Sequence, residues 1–350
     1  MNKKRIMILT ASTLLFASLF AGQWIKPPSV SNEMEPSLAG ATGWLNSKAL
    51  NLHDLRGKVV LIDFWTYTCI NWRRTLPYIS EWASKYKDRG LVVIGIHTPE
   101  FSFEHNLKNV TTEVGEMKIE YPVALDNDFN IWKSFDNNYW PALYLIDAKG
   151  KLRYQKFGEG DYDQSERIIQ QLLNEASGKK VSQELVSVTP DGYEVAADFE
   201  NLQSPENYLG ASRAQGFVSP EREHINKETV FTLPKMIRLN EWALSGSWTI
   251  QEENVLVKKE HGKLIYRFHA RDVNLIMGPS AAGKSIKFRI LIDGVSPGAA
   301  HGVDTDSNGN GTMTEQRMYQ LIRQQNPIVD HEFQIEFEEP GAELYDFTFG

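Results

Sequence analysis

An apolar run that ends just before a cysteine, with helical periodicity starting directly after it, constrains this chain more than any other feature. Val59-Val60-Leu61-Ile62-Asp63-Phe64-Trp65 is short and apolar, as a strand covered on both faces requires. Cys69 follows, and Leu76, Ile79, Trp82, Ala83 and Tyr86 then recur at helical spacing over 71–89. A helix N-terminus presents unpaired N–H groups and partial positive charge. Both favour the thiolate, the nucleophilic form of cysteine. Arg73, one turn further on, adds to the effect, so the sequence predicts a depressed Cys69 pKa.

The same alternation continues along the first half. Leu91-Val92-Val93-Ile94-Gly95-Ile96 reads as a second buried strand and Leu143-Tyr144-Leu145-Ile146-Asp147 as a third, followed by a turn at 148–151. Ile168 to Ala176 reads as a closing helix stopped by Gly178. Strand–helix–strand order predicts an α/β domain with a parallel component in its sheet. Beyond about residue 180, helical periodicity fades. Short alternating runs at 242–250, 264–268, 273–277, 288–292 and 333–337 are separated by Gly or Pro turns, which predicts an all-β sandwich. The expected organisation is 1–22 signal peptide or anchor, 23–44 linker, 45–180 α/β domain, 181–204 linker and 205–350 β-domain.

Residues 1–22 set the compartment. Met1-Asn2-Lys3-Lys4-Arg5 is a basic start, Ile6 to Gly22 is apolar or small throughout, and Leu19-Phe20-Ala21-Gly22 offers small residues for cleavage. This order predicts export to the periplasm or cell envelope, with the segment either cleaved or kept as an anchor by Trp24 and Lys26. An exported chain meets an oxidising environment. With a single cysteine it has no internal disulfide. Cys69 is therefore buried and inert, paired with another molecule, or reactive. The formal net charge of −8 excludes nucleic acid as an expected partner.

The stretch Asp63 to Pro77 resembles the thioredoxin superfamily, specifically exported thiol-disulfide oxidoreductases of the TlpA and DipZ kind. Asp63 stands where that family has its buried aspartate, Pro77 where its first active-site helix is kinked, and Trp140-Pro141 where its cis-proline faces the cysteine. The DipZ-type motif would run Trp-Thr-Tyr-Thr-Cys-Ile-Asn-Cys-Ile-Arg-Thr-Leu-Pro; here Trp72 replaces the second cysteine and Arg73 the isoleucine after it. Tyr266-Arg267-Phe268-His269-Ala270-Arg271-Asp272, Gly298 to Asp304 and Tyr319 to Gln324 resemble the DipZ-type C-terminal domain, described as similar to a carbohydrate-binding module. The resemblance implies Cys69, Asp63 and Pro141 as catalytic residues and Trp65, Trp72 and Trp140 as substrate-binding ones. It implies exported proteins bearing disulfides or thiols as partners, with a glycan as a further candidate for the β-domain.

In a Cys-x-x-Cys enzyme the second sulfur resolves the mixed disulfide. Trp72 has no sulfur, so release from Cys69 requires an external thiol reductant. Three readings stand: monothiol exchange, a redox-inactive adaptor, and a single-cysteine peroxidase suggested by Thr66-x-x-Cys69. Trp72, one turn from Cys69, is placed to cover the sulfur or to form an apolar platform for a substrate chain.

Two motifs compete for attention. Gly278-Pro279-Ser280-Ala281-Ala282-Gly283-Lys284-Ser285 has the letters of a phosphate-binding loop, but the strand-like 285–292 follows where a helix is needed, so it reads as a hairpin loop. Asp304-Thr305-Asp306-Ser307-Asn308-Gly309 with Glu315 has calcium-loop spacing; Asp304, Asp306, Asn308 and Glu315 are the candidate ligands against a plain Asx turn. No other cofactor is expected. Trp242, Trp248 and Tyr266 read as core aromatics or as sugar-stacking platforms.

Overall fold

Strand and helix alternate through the first half because apolar residues recur there at periods of two and then of three to four. The computed structural model describes residues 36–221 and 224–350; the expected signal peptide or anchor at 1–22 and most of the expected linker, residues 23–35, lie outside them. In chain order the first half contains β1 (Gly43–Leu45), β2 (Val59–Trp65), α1 (Ile70–Tyr86), β3 (Leu91–His97), α2 (Leu107–Glu116), β4 (Val123–Leu125), α3 (Asn130–Ser134), β5 (Ala142–Ile146), β6 (Leu152–Phe157) and α4 (Tyr162–Ser177). Its sheet runs β1-β4-β3-β2-β5-β6. β2 and β3 pair in parallel, as do β3 and β4, whereas β5 and β6 join antiparallel. The parallel component is the one that the strand–helix–strand order predicts.

The central strand β2 is buried at every position, which is why it reads as an unbroken apolar run. One face, with Val59, Leu61 and Trp65, packs on α1 and α4. The other, with Val60, Ile62 and Phe64, packs on α3 and on Leu38. The closing helix starts at Tyr162, one and a half turns before the predicted Ile168, because Ser165 and Glu166 are buried polar residues that break no helix. Gly178 ends it at φ +65°, as predicted.

The second half is built from β7 (Asn207–Tyr208), β8 (Glu228–Phe231), β9 (Trp242–Ile250), β10 (Val255–Val257), β11 (Gly262–Phe268), β12 (Asp272–Pro279), β13 (Ile286–Ile292), β14 (Asn310–Met313), β15 (Arg317–Arg323), β16 (His331–Phe337) and β17 (Ala342–Phe349). Among the described residues they make one long path, β14-β13-β16-β11-β9-β10-β17-β12-β15, with β7 on β17 and β8 on β9. The path folds over at β9. Trp242–Ser245 pair with β11 and Trp248–Ile250 with β10, and Gly246 between them takes φ +91°. A side chain there would also meet Gly262 Cα at 3.3 Å. The folded sheet encloses a core of Trp242, Trp248, Tyr266, Phe288, Phe333 and Phe347. These three tryptophan and tyrosine rings are almost fully buried, so none of them offers a sugar-stacking face.

The two halves share a hydrophobic core. β12 is buried at all eight positions. Val273, Leu275 and Met277 point into the folded sheet, while Ile276, with Met318 and Tyr345, packs with Phe101, Phe103 and Tyr67 of the first half. Burying each such side chain is worth ~1.5–3 kcal/mol. The predicted linker 181–204 is part of this arrangement: Val181, Val186 and Tyr193 pack on the first domain's core.

The phosphate-loop lookalike is not a hairpin. β12 pairs with β15 and β17 and β13 with β14 and β16, so 280–285 crosses between separate parts of the folded sheet. No helix follows it.

Candidate functional site

Cys69 caps α1 in an extended conformation, φ −70° and ψ 112°, and is half-buried. The loop before it is fixed from below. Thr68 Oγ1 donates to Glu104 Oε1 at 2.6 Å, and Glu104 Oε2 accepts the backbone N–H of Glu100 and of Phe101 at 2.6 and 2.9 Å. One buried carboxylate thereby ties the cysteine loop to the segment after β3. Trp140-Pro141 is cis. Ala142, next to Pro141, pairs with Phe64 near the end of β2, which puts Pro141 at the end of the sheet that carries Cys69.

The expected depression of the Cys69 pKa is not found. Burial pushes the thiol well up; the N–H groups of Trp72 and Asn71 pull it down, and the carboxylates of Glu100 and Glu206 push it up again. Arg73 gives no help, because its guanidinium turns away: Nε donates to Tyr67 O at 3.0 Å and Nη2 to Glu113 Oε2 at 2.7 Å. Spacing placed Arg73 one turn from the sulfur but said nothing of where its long side chain would find a partner.

Trp72 occupies the place of the resolving cysteine and points inward. It is fully buried, its Nε1–H donates to Asp63 Oδ2 at 2.9 Å, and its ring stacks on Trp65 at 4.2 Å and 20°. Trp65 is equally buried. Neither ring can serve as a substrate platform, which corrects that expectation for both. Trp140 is half-buried, packs on Trp132 at 4.4 Å and donates from Nε1 to Thr98 O at 3.1 Å.

Burial pushes Asp63 up to about 7, against the lowering effect of the Trp72 hydrogen bond. A carboxyl raised in the folded state holds its proton more tightly there. Its contribution is fully present below about pH 4 and is lost as pH rises toward the folded value. Asp63→Asn should therefore flatten the fall of stability between about pH 4 and pH 7, by up to ~1.4 kcal/mol per pH unit. Urea unfolding of both forms across that range is the check; parallel curves would mean that Asp63 does not titrate there. His97 has the opposite sign in the native protein, so the comparison must be made between the two forms. It ends β3 beside Trp65, lies parallel to Tyr67 at 5.7 Å, and is pushed down to about 3, first by burial. Sequence reasoning missed His97; its place at the end of a buried strand was the available signal.

Also missed was a group that the β-domain brings to the cysteine. Tyr208 Oη and Arg213 Nη2 both donate to Glu100 Oε1 at 2.6 Å, and Arg213 lies over the Tyr208 ring at 3.2 Å. Nothing in the spacing of 100, 208 and 213 announces this contact.

The calcium expectation is corrected. Asp304 pairs with Arg317 Nη2 at 2.8 Å, accepts Gln320 N at 2.8 Å, and also accepts from Tyr193. Asp306 Oδ1 accepts the N–H of Asn308 and of Asn310 at 2.9 and 2.8 Å, an Asx turn. Among the described residues, Glu315 gathers with Glu113 and Glu116 and not with Asp304, Asp306 or Asn308. Glu113 is itself taken by Arg73.

Residues 204–350 match the family described as "Thioredoxin like C-terminal domain", and residues 37–155 match the AhpC/TSA family. Protein DipZ of Mycobacterium bovis is 41% identical over 247 residues, which is 69% of this chain and 35% of that protein. The chain thus spans about a third of that relative's length. Thiol-disulfide oxidoreductase ResA of Bacillus thuringiensis is 30% identical over 128 residues, 37% of this chain and 71% of that protein. Among solved structures, a thiol-disulfide isomerase from Corynebacterium glutamicum aligns at 25% identity and TM-score 0.37, covering 40% of this chain and 96% of that one.

Proposed function

This chain belongs to the thioredoxin-like thiol-disulfide oxidoreductases, and from that membership and the Cys69 site we propose that it performs thiol-disulfide exchange through one sulfur. The observation that carries the proposal is position 72. An indole bound to Asp63 stands where the resolving thiol would be, and Cys69 is the chain's single cysteine.

The Cys69 thiolate attacks one sulfur of a partner disulfide. The new S–S bond forms as the old one breaks, and the leaving thiolate takes up the proton that Cys69 lost. An external thiol then attacks the partner's sulfur in the mixed disulfide: a disulfide between that thiol and the partner forms as the Cys69–partner bond breaks, and Cys69 leaves as the thiolate. The partner disulfide is the oxidant of the cycle and the external thiol its reductant. Because burial raises the thiol, exchange is slow at neutral pH and quickens as pH rises. The partners are proteins with disulfides or thiols in the periplasm or cell envelope, and the basic, apolar order of residues 1–22 supports export there.

The test is exchange with hydroxyethyl disulfide, followed by intact mass. The native chain should accumulate a single adduct that an added thiol removes, and Cys69→Ser should form none. The raised thiol favours a second reading, a redox-inactive adaptor. Failure of the folded chain to form any adduct, even at alkaline pH, would select it. Loss of the thiol to peroxide without an adduct would select the peroxidase.

A further inference from the structure

The segment between the two halves carries a turn, Gly192–Glu194, that lies against α1. β15 holds this turn from the far side. Arg323 Nη2 donates to Gly192 O at 3.0 Å, and Arg317 Nη1 donates to Tyr193 Oη at 3.1 Å. Tyr193 Oη in turn donates to Asp304, which Arg317 Nη2 meets at 2.8 Å. One donor and one acceptor of the β-domain thus fix the Tyr193 hydroxyl. The ring of the same residue lies beneath the Arg73 guanidinium, 5.4 Å from Cζ to the ring centre, within cation–π range. Arg73 is committed to the cysteine turn: Nε donates to Tyr67 O at 3.0 Å, two residues before Cys69, while Nη2 pairs with Glu113 at 2.7 Å. The turn itself closes through Cys69 N–H to Thr66 O at 3.3 Å. An unbroken series of contacts therefore runs from Asp304 and Arg317 through Tyr193 and Arg73 to the backbone of the cysteine turn.

We propose that Tyr193 is a positioning residue for Cys69: anchored by Asp304 and Arg317 of the β-domain, its ring keeps the Arg73 guanidinium on Tyr67 O and so holds the cysteine turn in its half-buried form. The consequence for exchange rests on the exchange reading of Cys69; the placement of the sulfur does not. The physical content is one of freedom removed. An arginine side chain has many rotamers, and only a few let its planar fork serve a carboxylate and a backbone carbonyl together. Glu113 supplies the charge that attracts the guanidinium, and that attraction alone does not fix its orientation. The Tyr193 ring closes the remaining side. Without it, Arg73 can follow Glu113 away from Tyr67 O, the carbonyl turns to water, and the cysteine turn opens locally. Asp304, spaced like a calcium ligand, serves the cysteine in this way, through a tyrosine.

The test uses the full chain and two probes followed by intact mass. Iodoacetamide reports the state of the sulfur whether or not exchange occurs, and hydroxyethyl disulfide reports exchange. Tyr193→Leu should speed modification of Cys69 by both probes at pH 7 by ~5-fold or more. The alkylation midpoint should also fall toward the free-cysteine value of about 8.5. Tyr193→Phe keeps the ring under Arg73 and loses the tie to Asp304 and Arg317, so its rise should be smaller. The same Tyr193→Leu change is then made in an Arg73→Met/Glu113→Gln background, where both charges are removed together. There it should alter the rate by less than ~2-fold, because it acts through Arg73. A general loss of stability would instead speed the reaction equally in both backgrounds, and that result overturns the proposal. So does an unchanged rate in folded Tyr193→Leu and Tyr193→Phe. Alkylation that follows the expected pattern, with no hydroxyethyl disulfide adduct in any form, leaves the positioning role standing and overturns exchange.

Discussion

Trp72→Ala is expected to lower stability by about 3–5 kcal/mol, among the largest effects a single substitution in the first domain should have. The indole fills the space between α1 and β2, stacks on Trp65 and gives Asp63 its hydrogen bond. Trp72→Phe separates these contributions. It keeps much of the stacking but leaves a buried carboxyl without a donor, at a cost of about 1–3 kcal/mol. Asp63→Asn in the same chain should recover part of that, and the coupling between the two sites is the measure of the hydrogen bond. Denaturant unfolding of the four forms supplies it. Additive losses would mean that the indole contributes packing alone. Trp72→Cys shares the cavity, so any gain in turnover without added thiol comes in a weakened protein. Position 72 lies one turn from Cys69, within reach of a short disulfide. A folded variant that forms no such disulfide would show that more than one residue separates this site from dithiol chemistry.

Tyr345→Ala is expected to cost a similar ~3–5 kcal/mol and to do it at the junction of the two halves. The ring meets Phe103 at 4.8 Å and Phe101 at 5.3 Å edge-on, and its hydroxyl donates to Glu343 Oε2 at 2.9 Å. Since Phe101 and Phe103 also flank the Glu104 carboxylate that holds the cysteine loop, loosening this contact should reach Cys69. Two readouts are needed: thermal unfolding, which should fall and broaden or split, and the alkylation rate of Cys69, which should rise as the β-domain's cover loosens. Thermal unfolding that stays a single sharp transition, with an unchanged alkylation rate, would show the two halves to be mechanically independent of the cysteine.

What the sequence by itself determined is the local chemistry of each half. Uninterrupted apolar residues made β2 and β3 readable as buried strands, the 71–89 periodicity announced α1, and the resemblance pointed to the cis bond that the structure has before Pro141. The alternating runs after residue 240 are strands, because period two survives whenever one face is wet or differently packed. Tertiary structure decided everything that depends on where a long side chain ends or which distant segment meets it. Arg73 reached Glu113 and not the sulfur, and the calcium-like loop gave Asp304 to Arg317. β12 turned one face to each half of the protein, and Glu100, Tyr208, Arg213 and Asp346 came together from three places in the chain. The physical reason is the same in each case. Periodicity reports the average surroundings of a backbone segment, whereas a thiol's pKa and reactivity depend on a few charges and donors brought to it by the fold.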